Sequence, residues 1–257
     1  MTGTLYGVGT GPGNPELLTI KALKIIKQSD IIAIPSEDEK SCLSFRTVKG
    51  IYPEIEDKRL LKLPFPMTKD AAALRRQHEE NAAKVQTFLD KGQTVAFLTI
   101  GDPSIYSTYG YLHRILTKRG YEARIISGIP SFCAAAASLG EILCEGSETL
   151  EILPASYDLK AALRSSGTKV LMKPKRRFSS VLRALKESGR SASMVENCGL
   201  GEEHIFRKLE DFPQDSGYFS IILSRLPDSP LPDSPHCGGN PDSMRTEYTD
   251  KHIGGDY

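Results

Sequence analysis

The fold turns on Thr94-Val95-Ala96-Phe97-Leu98-Thr99-Ile100, which runs straight into Gly101-Asp102-Pro103. Seven uncharged residues, rich in β-branched and aromatic side chains and stopped by Gly and Pro, read as a strand buried on both faces. Such a strand belongs inside a parallel sheet covered by helices. Working outward, residues 5–8 and 31–34 repeat the pattern, and 123–126 repeat it more weakly. Helical periodicity fills the intervals at 15–28, 70–91 and 107–119. The alternation predicts an α/β fold with a mostly parallel sheet. The first helix has a matching start: Asn14 to cap it, Pro15 at the first turn, and Glu16 at the positive end of the dipole. Leu17, Leu18, Leu23, Ile25 and Ile26 supply its apolar face.

After Gly128-Ile129-Pro130 the pattern restarts, with strands expected at 149–153, 169–172, 192–196 and 218–223 and helices at 131–139, 159–164 and 178–188. The Gly-x-Pro interrupts periodicity and stiffens the join. The expected organisation is two α/β domains, 1–127 and 128–225, with some antiparallel pairing near the end. Residues 226–257 carry five of the 16 prolines, four glycines and no apolar periodicity, and read as a disordered tail.

Bulk properties exclude several classes. With 257 residues, 39% of them hydrophobic and 25% charged, a fibrous or wholly disordered chain is ruled out. The formal net charge of +1 splits unevenly: 31 basic and 26 acidic residues in 1–225, two basic and six acidic in 226–257. A mildly basic body suits a polycarboxylate ligand and is too weakly basic for nucleic acid. No apolar run is long enough to span a bilayer and no signal peptide is visible, so no membrane association is expected. Cys42, Cys133, Cys144, Cys198 and Cys237 are scattered and unpaired in sequence, which points to free thiols in a reducing cytosol and to no metal site. The five histidines show no ligand spacing, and neither a G-x-S-x-G nor a P-loop occurs.

Four motifs could carry chemistry. Gly7-Val8-Gly9-Thr10-Gly11-Pro12-Gly13 sits between a strand and a helix, yet Pro12 occupies the place of the third glycine of a dinucleotide fingerprint. No acid ends the second strand either, since Ile34 is followed by Pro35. A tight turn and a ligand cradle both stay open for it. Gly101-Asp102-Pro103 follows the buried strand, where open α/β sheets collect ligands, and leads into a hydroxyl-rich run of Ser104, Tyr106, Ser107, Thr108 and Tyr109. Gly128-Ile129-Pro130-Ser131-Phe132 marks the join between halves. Leu171-Met172-Lys173-Pro174-Lys175-Arg176-Arg177 places four cations after a strand, either as a solvated face or against an anionic ligand.

Together these motifs resemble the tetrapyrrole methylases. Tyr6 to Thr19 is similar to that family's opening signature, Gly101-Asp102-Pro103 to its central motif and Gly128-Ile129-Pro130-Ser131 to the next, over residues 4 to about 225. Pro64-Phe65-Pro66-Met67, Tyr106-Ser107-Thr108-Tyr109, Leu171-Met172-Lys173 and Tyr218-Phe219-Ser220 resemble the branch that methylates carbon 20 of precorrin-2 or cobalt-factor II. The resemblance implies a cytoplasmic homodimer with S-adenosylmethionine in the interdomain cleft. It implies that Gly101, Asp102, Pro103, Ile105, Ser131, Phe132, Pro154 and Met172 hold the cofactor. The glycine run (Gly9, Gly11, Pro12, Gly13) would face the tetrapyrrole, and Lys173, Lys175 and Arg176 would clamp its carboxylates. Asp102, with Tyr106 as an alternative relay, would take the proton that the methylated meso carbon loses.

Overall fold

The structure, a computed structural model, describes residues 2–66, 68, 70–155 and 159–227, with the side chain of Arg176 also left aside. The expected tail lies outside the described residues from position 228 onward. Two five-stranded sheets are formed, one from each half of the chain.

The first sheet contains β1 (Thr4–Gly9), β2 (Ile31–Ile34), β3 (Arg59–Lys62), β4 (Val95–Thr99) and β5 (Glu122–Ile126), ordered β3-β2-β4-β1-β5. All four pairings are parallel. β4 is central and buried throughout, as its uncharged sequence predicts. Its side chains alternate: Ala96 and Leu98 join the core beneath α1 (Ile20–Gln28) and α2 (Leu43–Lys49). Val95 and Phe97 join the core beneath α3 (Ala71–Leu89) and α4 (Tyr109–Lys118). The connections leave β1 and β4 in opposite senses, β1 leading leftward to β2 and β4 rightward to β5. That reversal opens a crevice at the carboxyl ends of those two strands.

The first helix departs from expectation. Asn14 does cap, its Oδ1 accepting from Glu16 N, but only a 3-10 turn over Pro15–Leu17 follows. Leu18 is extended, and the α-helix starts afresh at Ile20 with Thr19 Oγ1 accepting from Ala22 N. Three short elements had no periodic signature to announce them: β3, α2 and β9 (His204–Phe206).

The second sheet is ordered β6-β7-β10-β8-β9, with β6 (Leu150–Pro154), β7 (Thr168–Met172), β8 (Ser191–Glu196) and β10 (Ser220–Arg225). β6 and β7 are parallel; the remaining pairs are antiparallel. α5 (Ser131–Leu139) packs on one face, and α6 (Leu159–Ala162) and α7 (Phe178–Ser188) pack on the other.

A fully buried cation sits in β7. Lys169 Nζ donates to Glu151 Oε1 at 2.6 Å, Ser165 Oγ at 2.7 Å and the Ser166 carbonyl at 2.6 Å. The Lys169 ammonium holds the Glu151 carboxyl below its ordinary value of 4.5. A depressed carboxyl stabilises the fold above its unfolded pKa and loses that contribution as pH falls through the folded one. Glu151→Gln should therefore lower unfolding stability by about 1 kcal/mol near neutrality, a modest sum because water screens the partly exposed carboxylate. The gap to wild type should stay constant above pH ~5 and close on further acidification. Denaturant titrations across that range measure it, and a gap that widens in acid would contradict the assignment.

Candidate active site

Three glycine-bearing loops meet at the crevice. Gly101 N donates to the Gly11 carbonyl at 2.8 Å, forming an isolated antiparallel bridge. A Cβ on Gly9 would lie 2.5 Å from Gly101 O and 2.6 Å from Gly128 N. One on Gly128 would lie 2.2 Å from Gly101 O. Backbone therefore packs on backbone here, where only glycine fits. Gly13 is closed off too, since its Cβ would strike Leu200 of the second half. Of the four residues expected to face a tetrapyrrole, Pro12 reaches the cavity lining, whereas Gly9 and Gly13 make these close approaches and Gly11, left-handed at φ 74°, has the Leu17 carbonyl 2.8 Å from its Cβ position.

Asp102 fastens the same loops. Its Oδ1 accepts from Ser104 N at 2.8 Å and Ser104 Oγ at 2.5 Å, and its Oδ2 accepts from Gly128 N at 3.0 Å. Asp102 is 8% exposed and is among the residues lining the cavity.

That cavity, about 450 Å³, lies between the two sheets. Gly101, Asp102, Ile105, Tyr106, Ser131, Phe132, Met172 and Lys173, read separately in the sequence, all line it. Pro103 is buried behind the loop, and Pro154 pairs with Met172 across β6 and β7; neither is in the lining. Lys175 is exposed in the 3-10 turn Lys175–Arg177 and also stands outside the lining, while the Arg176 side chain is outside the described residues. Met67 of the Pro64–Met67 segment falls outside them as well, but Phe65 lines the cavity.

Sequence reasoning missed the wall built after β2, comprising Pro35, Ser36, Ser41, Cys42, Leu43 and Ser44. Its only signal was position, at the carboxyl end of a sheet strand. Tyr218 and Phe219 form an edge-to-face pair at the opposite wall and are 43% and 41% exposed. The hydroxyl-rich run divides: Tyr109 turns wholly into the core, donating to the Arg124 carbonyl at 2.7 Å, with burial pushing its phenol pKa up. Gly7 is the counterpart of that ring, for a Cβ there would overlap it.

Two non-glycine residues with left-handed backbone link the halves across the cavity. Tyr106 (φ 47°) donates its hydroxyl to the Ile152 carbonyl at 3.0 Å, and Lys173 (φ 58°) donates Nζ to the Tyr106 carbonyl at 3.3 Å. Such backbone costs energy and persists where surroundings enforce it, often at binding sites. Partial desolvation beside the cavity wall holds the Lys173 pKa below the usual lysine value, although the residue as a whole stays exposed. Cys198 also lines the cavity, but burial pushes its thiol up to about 11, so it presents a small neutral wall rather than a nucleophile. Among the described residues no group of three His, Cys, Asp or Glu could hold a metal ion, and no helix is long and apolar enough to cross a membrane.

The chain matches the family model described as Tetrapyrrole (Corrin/Porphyrin) Methylases over residues 4–213. It is 40% identical over 172 residues to a protein of Methanocaldococcus jannaschii named probable cobalt-precorrin-2 C(20)-methyltransferase, covering 66% of this chain and 72% of that one. It is 34% identical over 235 residues to the precorrin-2 C(20)-methyltransferase of a Sinorhizobium species, covering 86% and 94%. The crystal structure of a cobalt precorrin-4 methyltransferase superposes with a TM-score of 0.68 at 20% identity, covering 86% of this chain and 94% of that one.

Proposed function

Because the chain belongs to the tetrapyrrole (corrin/porphyrin) methylases, we propose that it transfers a methyl group from S-adenosylmethionine to carbon 20 of precorrin-2 or cobalt-factor II in cobalamin biosynthesis. Its similarity to C(20)-methyltransferases over most of their length supports the reaction. The structural observation that carries the site is the meeting of the loops after β4 and β7 with the start of α5 around one cavity.

The cavity suits the cofactor. Its volume is in the range of small-molecule sites. Gly101, left-handed at φ 72°, leaves open the space its missing Cβ would fill, with nothing nearer than 3.8 Å. A ligand can thus approach that backbone closely. We assign cofactor binding to Gly101, Asp102, Ile105, Ser131, Phe132 and Met172, with Pro103 and Pro154 supporting them from behind. When bound, S-adenosylmethionine supplies a methyl group already made electrophilic by its sulfonium.

The protein's task is then alignment and water exclusion. Walls from both halves, treated as domains 1–127 and 128–225, fix the acceptor carbon relative to the donor. Such positioning is worth up to roughly 7–11 kcal/mol of barrier. Lys173 at the cavity wall, and Lys175 and Arg176 next to it in the sequence, are the proposed cations for the substrate's carboxylates. The meso carbon must afterwards lose its proton. Asp102 is the proposed acceptor, since Oδ2 keeps a lone pair beyond its bond to Gly128 N. Tyr106, which lines the cavity and donates its hydroxyl to the Ile152 carbonyl, is the proposed relay. Homodimerisation and a cytoplasmic setting belong to the same reading and rest on the family resemblance.

Incubation of the protein with S-adenosylmethionine and each tetrapyrrole, followed by mass spectrometry and NMR, tests the proposal. Gain of one methyl group at carbon 20 of either substrate is the expected result. Unmodified tetrapyrroles, or a methyl group at another position, would sink it.

A further inference from the structure

Thr99, the last residue of β4, and Ser107, just before α4, both line the cavity. Their hydroxyls face each other at 3.0 Å. Ser107 Oγ also accepts from Tyr109 N at 3.2 Å, serving the first turn of α4. The Thr99 carbonyl is taken by Thr10, whose N and Oγ1 donate at 2.8 and 3.1 Å. Thr99 is 7% exposed and Ser107 is half-buried, so the pair meets solvent only through the cavity it lines.

Counting protons gives the consequence. Two hydroxyls carry two O–H donors, and their mutual bond uses one. Whichever partner donates, the other keeps an O–H for which no acceptor exists among the described residues. A donor that the protein leaves over on a cavity wall is available to a ligand acceptor there. The charge of that acceptor follows from the position. The pair stands at the positive end of the ten-residue helix α4. The neighbouring carboxylate, Asp102, is tied to Ser104 and Gly128 rather than to this pair.

We propose that the Thr99–Ser107 pair anchors a carboxylate of the ligand bound in the cavity. This rests on the function proposed above. Both the tetrapyrrole side chains and the amino-acid end of the cofactor offer a carboxylate, and binding measurements tell them apart. Calorimetry would compare wild type with the double variant Thr99→Val/Ser107→Ala, using S-adenosylhomocysteine, 5′-methylthioadenosine and the accepted tetrapyrrole. Loss of a hydrogen bond to a charged group should weaken one carboxylate ligand about 10- to 100-fold. If the tetrapyrrole alone weakens, its side chain is the one held. If S-adenosylhomocysteine weakens while 5′-methylthioadenosine, which lacks the amino-acid end, does not, the cofactor's carboxylate is held.

The anchor is overturned if all three affinities stay within twofold of wild type. It is equally overturned if 5′-methylthioadenosine weakens as much as S-adenosylhomocysteine, since the pair would then shape the nucleoside pocket. Thr99→Val/Ser107→Asp guards against misfolding, because Asp keeps the capping acceptor for α4 while supplying no O–H. It should melt at or above the temperature of the Ala-bearing double variant and bind 5′-methylthioadenosine as wild type does, while its own charge weakens the carboxylate ligand at least as much as the Ala variant does. Wild-type protein that bound none of the three ligands would instead sink the functional reading, and the anchor with it.

Discussion

Gly128→Ala is expected to abolish measurable S-adenosylhomocysteine binding and to destabilise the protein by about 3 kcal/mol or more. The added Cβ would sit 2.2 Å from the Gly101 carbonyl oxygen and 2.8 Å from Gly9 Cα. All of these are backbone atoms of loops fixed at strand ends, so no flexible side chain can swing aside. Relief requires Gly101 to retreat, breaking its bond to Gly11, or Gly128 to withdraw its N–H from Asp102. Either movement displaces the loop proposed to cradle the cofactor. Gly120→Ala isolates the steric contribution. Gly120 is left-handed at φ 86° with nothing within 4 Å of its Cβ position, so alanine there should cost only the ~1–2 kcal/mol of an unfavourable backbone conformation. Thermal unfolding and calorimetry measure both variants. Wild-type melting and affinity in Gly128→Ala would show that the three loops are not rigidly packed.

The same loops show what a sequence can and cannot disclose. β4 was legible because five successive buried positions without charge leave a strand little alternative to the middle of a covered sheet. α5 and α7 were legible to the residue, the one from its alanine-rich apolar run and the other from its amphipathic spacing ended by left-handed Gly189. β3 was not, because Arg59-Leu60-Leu61-Lys62 pairs only with β2 at the sheet edge and keeps charged ends in water.

The site was legible as motifs but not in its division of labour. Gly9, Gly11 and Gly13 look alike in sequence to glycines that admit a ligand. The atoms that Gly9 and Gly13 admit belong to Gly101, Gly128 and Leu200, and separations of about ninety residues or more leave no local trace, while Gly11 admits the Leu17 carbonyl of its own turn. Tyr109 and Ser107 likewise share one hydroxyl run. Helix geometry sends the first beneath the sheet and leaves the second at the cavity, a split set by where α4 begins.

Asp102→Ala should lower both stability and turnover, and the two losses have separable causes. Removing the carboxylate deletes three accepted hydrogen bonds and leaves the Gly128 N–H without its partner in a buried loop. A cost of roughly 2–4 kcal/mol follows from losing bonds to a charged acceptor and stranding a buried donor. That part is structural, and it should appear as a lower melting temperature and weaker S-adenosylhomocysteine binding. Proton acceptance from carbon 20 would add a loss of about 10²- to 10⁴-fold in turnover, even with both ligands saturating. Asp102→Asn sharpens the separation. Its amide oxygen can still accept from Ser104, while its NH2 group confronts the Gly128 N–H and its capacity to take a proton is gone. Single-turnover kinetics with substrate deuterated at carbon 20 supply the decisive readout. If Asp102 takes the proton, Asp102→Asn should be slow at saturation and show a larger isotope effect than wild type, because deprotonation now limits the rate. Near-normal turnover at saturating ligand, with only the melting temperature reduced, would leave Asp102 as a fastener of loops and pass proton removal to another group of the cavity wall.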